Sequence, residues 1–380
     1  MATYYVRTNG NDANAGTGPS TGQAWQTITK AIGATGIAPG YTLYIAPGVY
    51  RSAFSAGFTN PANESQRITI SGDPKCLYFT DITPNAVILT NYDTNTTSIS
   101  TQTLNVVKNF ITIKDLYFFG STNTATFTLA TMQTAALVMD NICSISVETT
   151  TESGGFRVYV PDGAAGATIR RCIFFGQNLF RGGNTSSYNS NTLIQDCIFS
   201  TTTTSSTISA PLTIGNFPSG TFGGITIANC SFFSSLNCLS FYQGTTLSTT
   251  HPMTIKNCYF QGTFGIVSSS TSAQTESYNV FNCNTASVNV TTGTGRVSKP
   301  FNPLDLSMSK IQGWGNLGFY SPLSVSYAVS YGTTGSTLTS DIYSNAWLNQ
   351  SAPTVGAVEN ASLSGGGLLT HPGMTGGIRG

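Results

Sequence analysis

Five times the chain carries one six-residue phrase, Ile-x-x-Cys-x-Phe or a close variant: Ile113 to Phe118, Ile169 to Phe174, Ile194 to Phe199, Ile227 to Phe232 and Ile255 to Phe260. Leu116 takes the fourth place in the first copy, and Cys172, Cys197, Cys230 and Cys258 take it in the others. These cysteines follow one another at steps of 25, 33 and 28 residues, with Cys283 another 25 on in the weaker Val280-Phe281-Asn282-Cys283. A constant phrase at unequal steps is a constant structural element joined by loops of variable length, which is how solenoids absorb insertions.

The phrase also dictates geometry. Inward residues of a strand recur every second position, yet Ile and Cys are three apart while Cys and Phe are two apart. The side-chain parity must flip between them, and one residue in the left-handed region does that. Asn and Asp tolerate this conformation best after Gly. Asp115, Asp196, Asn229 and Asn257 stand at the required place, Arg171 being the exception. Each copy therefore reads as strand, bend, strand. Coils of this size stack rung on rung at about 4.8 Å, giving a β-helix whose thiols form an interior ladder. Cys172, Cys197, Cys230 and Cys258 are expected to be reduced packing groups, because free Cys behaves as a small buried hydrophobe and no His accompanies them. Phe119, Phe175 and Phe233 directly follow the rung phenylalanines and must face outward. A strip of outward aromatics suits either sugar rings or a subunit interface.

The chain resembles the right-handed parallel β-helix, or pectin-lyase-like, family. The likeness extends to the opening Tyr4-Tyr5-Val6-Arg7-Thr8-Asn9-Gly10-Asn11-Asp12, to Ala24 to Ile32, to Tyr41 to Tyr50, to Ile68 to Gly72, and to Asp341-Ile342-Tyr343 followed by Val355 to Glu359. It implies an all-β solenoid with a short N-terminal capping helix near Trp25 to Ile32 and a C-terminal extension. The expected organisation is an N-terminal strand and cap over 1–40, a parallel β-helix over 41–300, terminal coils and a closing segment over 301–360, and a Gly-rich arm over 361–380. The resemblance fixes fold better than function, since this fold hosts many activities.

Composition narrows the classes. Only 8% of the 380 residues are charged, with a net charge of +1, so nothing offers the clustered Lys and Arg that phosphate backbones require, and no nucleic-acid partner is expected. No apolar run approaches the roughly 20 residues of a bilayer span. The start carries no basic segment followed by an apolar one, so no cleavable leader is expected.

Chemistry is sparse. Lyases of this family need carboxylate clusters for calcium with an Arg or Lys base, and glycosidases need paired carboxyls. The fifteen acids are scattered, with Asp115 and Asp196 already explained by the bend. Three weaker groupings remain. Glu148 and Glu152 lie near Arg157, Arg170 and Arg171. Asn9, Asn11, Asp12 and Asn14 offer oxygens to Ca²⁺, or simply make turns. His251 and His371 are too far apart for a catalytic pair. No catalytic residue, metal site or cofactor is assigned.

The sequence alone thus favours a non-enzymatic structural subunit of an extracellular assembly, a phage virion component or a surface filament. Its partners would be copies of itself or other subunits. The arm, with Leu368, Leu369, Pro372, Met374 and Ile378 among seven glycines from 365 on, would make the inter-subunit contact. The alternative is a carbohydrate-active β-helix enzyme, lyase or glycoside hydrolase, or a glycan-binding adhesin.

Overall fold

The computed structural model describes residues 2–299 apart from 53, 91–103, 123–129, 134–135, 149–155, 161–165, 177, 183–186, 202–209, 216–219, 235, 242–244, 248–251, 269–273 and 291. The closing segment 301–360, the arm residues Leu368, Leu369, Pro372, Met374 and Ile378, Glu152, His251 and His371 lie outside the described residues, as do the side chains of Glu148 and Arg157.

Among the described residues every strand pairing is parallel and joins successive coils, the signature of a parallel β-helix. Three sheets run along its axis. In the first, Thr3–Val6, Thr42–Ile45 and Ile68–Gly72 stack in register, followed by the front of the bent strand Ile111–Thr122. Met139, Ile169, Ile194, Ile227, Ile255 and Glu276 continue the inward line that Ile113 carries. The second sheet begins with Gly48–Arg51 and Val87–Thr90. The third holds Phe54–Ser55, Leu104–Val106 and their successors through Asn237–Phe241. Ten first-sheet strands from Thr3 to Ser277 make a stack of about 43 Å at the usual strand spacing.

The bend between first and second sheets has the conformation the phrase requires. Asp115, Asn141, Arg171, Asp196, Asn229 and Asn257 all have φ between 52° and 58°, and Tyr278 follows at 54°. Arg171 adopts it in spite of its side chain, because the rungs on either side impose the turn. A further coil carries the phrase in disguise: Met139, Ile142 and Ser144 occupy the Ile, Cys and Phe places. No residue of the template survives there, which is why the repeat count misses it.

Behind the bend Cys172, Cys197, Cys230 and Cys258 are wholly buried free thiols in successive registers. Each donates to the carbonyl two residues back, at 3.1 Å for Arg170 and Gln195, 3.3 Å for Ala228 and 3.2 Å for Lys256. Burial pushes the Cys172, Cys197 and Cys230 thiols well above the ordinary range, so they remain protonated. The expected fifth member is different. Val280 pairs with Tyr259, so Asn279, not Cys283, stands next in line, and Cys283 sits opposite Gly262. Asn279 fits because its amide donates to Ile255 O at 2.9 Å while its carbonyl accepts Cys258 N at 2.9 Å. Phe174, Phe199, Phe232, Phe260 and Phe281 stack with centroids 4.8–5.1 Å apart and planes within 13°.

At the N-terminal end the outer edge of Thr3–Val6 is closed by backbone: Trp25 N donates to Tyr5 O at 3.0 Å and Arg7 N to Trp25 O at 2.9 Å. Pairing an open edge removes a template for aggregation. One helical turn, Ile28–Ile32, follows, with the Thr27 hydroxyl accepting Lys30 N and with Ile28, Ala31 and Ile32 buried. Among the described residues no helix is long and apolar enough to cross a membrane.

Candidate functional site

Outward residues of the first sheet form a continuous ladder: Tyr5, Tyr44, Ser71, Lys114, Asp140 and Arg170 in consecutive registers. Its aromatic end is built by a fold-back. Ser71 is small, and Gly72 is obligatory because a Cβ there would meet Asp115 O at 2.0 Å. The chain then turns over the sheet. The Asp73 carboxylate accepts the backbone N–H groups of Leu77, Tyr78 and Phe79 at 2.8, 2.7 and 3.2 Å. That nest lays Tyr78 on Tyr44, with centroids 3.8 Å apart and hydroxyls 2.8 Å apart. Tyr5 lies 6.0 Å from Tyr44, and the edge of Phe79 supports it from beneath at 5.8 Å. Buried Arg7 secures the far side of the loop through Asp81 at 2.9 Å. Tyr78 is 40% and Leu77 72% exposed, so the platform is open to solvent. Burial and then the hydrogen bond to Tyr78 raise the Tyr44 hydroxyl, which keeps that hydroxyl protonated.

The ionic end is occupied by itself. Asp140 accepts Arg170 Nε at 3.0 Å and Arg171 at 2.7 and 2.5 Å, so two of the three arginines of the weak Glu148 grouping face a different carboxylate. Asp115 accepts the Asn141 amide at 2.8 Å, and Asp196 accepts Gln195 and Asn229 at 2.9 and 3.2 Å. Burial raises the Asp115 carboxyl, the Asn141 hydrogen bond opposing it. Glu64 pairs with Arg67, and Glu276 with Arg296. All eight carboxylates whose side chains are described thus have a fixed partner. Among them no free pair stands ready for hydrolysis.

The Asn9, Asn11 and Asp12 side-chain oxygens are also committed. Asn9 accepts Arg7 Nε at 2.7 Å, Asn11 accepts Ala13 N at 2.9 Å, and Asp12 accepts Gln26 N, Thr27 N and the Thr27 hydroxyl. Oxygens already facing N–H donors are poor calcium ligands, and turn chemistry accounts for the cluster. Among the described residues no three His, Cys, Asp or Glu side chains gather as a metal site.

In the sequence Tyr5 and Tyr44 stand as markers of the fold and not as a site. Their outward parity was available in Tyr4-Tyr5-Val6 and Leu43-Tyr44-Ile45. Tyr78 was invisible because only the Asp73 fold-back brings it there. The expected outward aromatics share one ladder on the second sheet: Phe119, Ile145, Phe175, Ser200, Phe233 and Gln261 are consecutive in register. Their exposure falls along it, from open Phe119 through half-buried Phe175 to buried Phe233.

No family model and no curated relative matches the chain. Among solved structures it is similar to XylC in complex with xylose, at 11% identity and a TM-score of 0.45 over 78% of this chain and 70% of that one. It is similar to pectate lyase Pel9A, at 14% identity and 0.44 over 94% and 96%. A third is pectin methylesterase PemA from Erwinia chrysanthemi, at 9% and 0.41 over 78% and 92%. These likenesses concern the parallel β-helix fold alone.

Proposed function

We propose that this chain is a glycan-binding β-helix protein whose tyrosine platform receives a sugar ring. The observation that carries the reading is the solvent-open Tyr44–Tyr78 pair, held rigid by the Asp73 nest before any ligand arrives. Aromatic rings present an apolar face to the C–H side of a pyranose and a polar tip to its hydroxyls. Rigidity matters because ordering flexible side chains on binding costs affinity. Binding is favoured over cleavage because the described carboxylates are bound by arginines, amides and backbone, so none of them is free to join an acid–base pair of the kind hydrolysis uses.

A glycan array followed by calorimetry tests this. Tyr78→Ala should weaken the best ligand about tenfold, or about 1.4 kcal/mol, with an unchanged melting temperature because Tyr78 is exposed. Tyr78→Phe should keep most of the affinity. An array without binders, or binding indifferent to Tyr44→Ala and Tyr78→Ala, would remove the reading.

A further inference from the structure

The Tyr44–Tyr78 pair carries a chemistry that sugar binding does not use. Its rings are stacked with centroids 3.8 Å apart and planes 26° from parallel, and the two hydroxyls meet at 2.8 Å. With the oxygens closer than the centroids, the rings lie over one another in the same sense and converge at their hydroxyl ends. The ortho carbons beside each hydroxyl-bearing carbon therefore face one another in van der Waals contact.

That is the geometry of oxidative phenol coupling. Loss of one electron and the hydroxyl proton turns a phenol into a phenoxyl radical, whose unpaired electron lies in the π system, on the oxygen and on the ortho and para carbons. The para carbon carries the side chain, so the new carbon–carbon bond forms at an ortho carbon, through the face of the ring. Holding both partners in contact turns an encounter between two radicals into a step within one molecule.

The surroundings keep the pair in place and within reach. The Asp73 carboxylate and the Arg7–Asp81 pair fix the fold-back on either side of Tyr78. Tyr78 is 40% exposed and Tyr44 half-buried, so a small oxidant has access to the rings. Tyr5 is a poorer partner, its ring 6.0 Å from Tyr44 and 6.4 Å from Tyr78 and tilted to both. Cys76, the thiol of the same loop, is buried, which keeps it from intercepting the radical.

We infer that Tyr44 and Tyr78 form a dityrosine site: one-electron oxidation driven by a peroxide joins their ortho carbons and staples the fold-back to the first sheet. Each ring gives up one electron and its hydroxyl proton, the ortho carbons bond, and the two ring hydrogens are exchanged for hydrogens on the oxygens, which restores both phenols. One hydrogen peroxide takes up the two electrons and two protons and leaves as two waters. The reaction needs the rings alone and holds whether or not a sugar binds there.

The test treats the full chain with a haem peroxidase and limiting hydrogen peroxide. Intact mass should show a monomer lighter by two hydrogens, with the blue fluorescence of dityrosine. Tandem mass spectrometry should place the link between Tyr44 in tryptic fragment 31–51 and Tyr78 in fragment 76–108. The linked chain should melt higher, since the link closes a span of 34 residues in the unfolded chain. Tyr44→Phe and Tyr78→Phe each keep the ring and remove the phenol, and each should lose the product. Tyr41→Phe, on the same fragment as Tyr44, should keep it. A urea-unfolded chain should give severalfold less, because nothing then holds the rings together. No link, a link between copies, a link through Tyr5 or Cys76, undiminished product in either Phe variant at Tyr44 or Tyr78, or an equal yield from the unfolded chain would overturn the inference.

Discussion

Asp115 shows how one position serves two demands. Its backbone must take φ 58°, and its carboxyl lies half-buried beside Asn141. Because burial lifts that carboxyl above its ordinary 3.8, the folded chain holds a proton that the unfolded chain releases. The group therefore costs nothing below the ordinary value, and stability falls as pH rises from there through the folded-state value. Asp115→Asn keeps a residue that Asn141, Asn229 and Asn257 show to be compatible with the bend, and it removes the titration. Urea midpoints of the two proteins should nearly agree at about pH 3.5 and separate in favour of the variant by about pH 7. A parallel pH dependence in both would show that the carboxyl is solvated. The bend was legible because parity alone demanded a left-handed residue. The partners of the bend side chains were not legible, since neighbours in the ladder are more than 20 residues apart in sequence.

At the scale of the element, the ladders explain what the repeat predicts and where it slips. Interior positions demand volume and apolarity, not identity, so Met139, Ile142 and Ser144 form a rung that template matching passes over. The slip at Cys283 has the same cause: two hydrogen bonds make Asn279 an acceptable interior residue, and the register follows the backbone rather than the thiol. Ser144 is the weak member. It occupies the phenylalanine line between Phe118 and Phe174, and its hydroxyl is buried without a hydrogen-bond partner. An unpaired buried hydroxyl costs about 1–3 kcal/mol. Ser144→Ala should accordingly raise stability by about 1 kcal/mol in denaturant unfolding, an unusual sign for a core substitution. A loss of stability would mean that the hydroxyl has found a partner such as water.

Across the whole molecule, the inward line of the first sheet stays apolar from Leu43 to Ile255 and turns charged at its last described strand. The inward line that carries isoleucine through Ile255 ends in Glu276, whose side chain is wholly buried against Arg296, itself 12% exposed. Arg296 also lies 4.8 Å over the ring of Phe281, the final member of the phenylalanine stack. One guanidinium thus closes both interior ladders. Gly293 N donates to the same Glu276 oxygen at 2.9 Å, so the closing loop and the carboxylate depend on each other. Removing Arg296 would leave a buried carboxylate without its cation, a change that typically costs about 3–5 kcal/mol. In a solenoid each coil contacts only its neighbours, so the damage should stay local. Hydrogen exchange on Arg296→Ala should therefore show lost protection over Met253–Lys256 and Val280–Val288, with Thr42–Ile45 and Ile68–Gly72 as slow as before. Replacing both partners, Glu276→Met with Arg296→Met, should restore most of that protection, because an apolar pair of similar volume suits the ladder that precedes it. Uniform loss along the solenoid would instead mean that the coils unfold as one body, and unchanged exchange near Val280 would mean that this pair closes nothing.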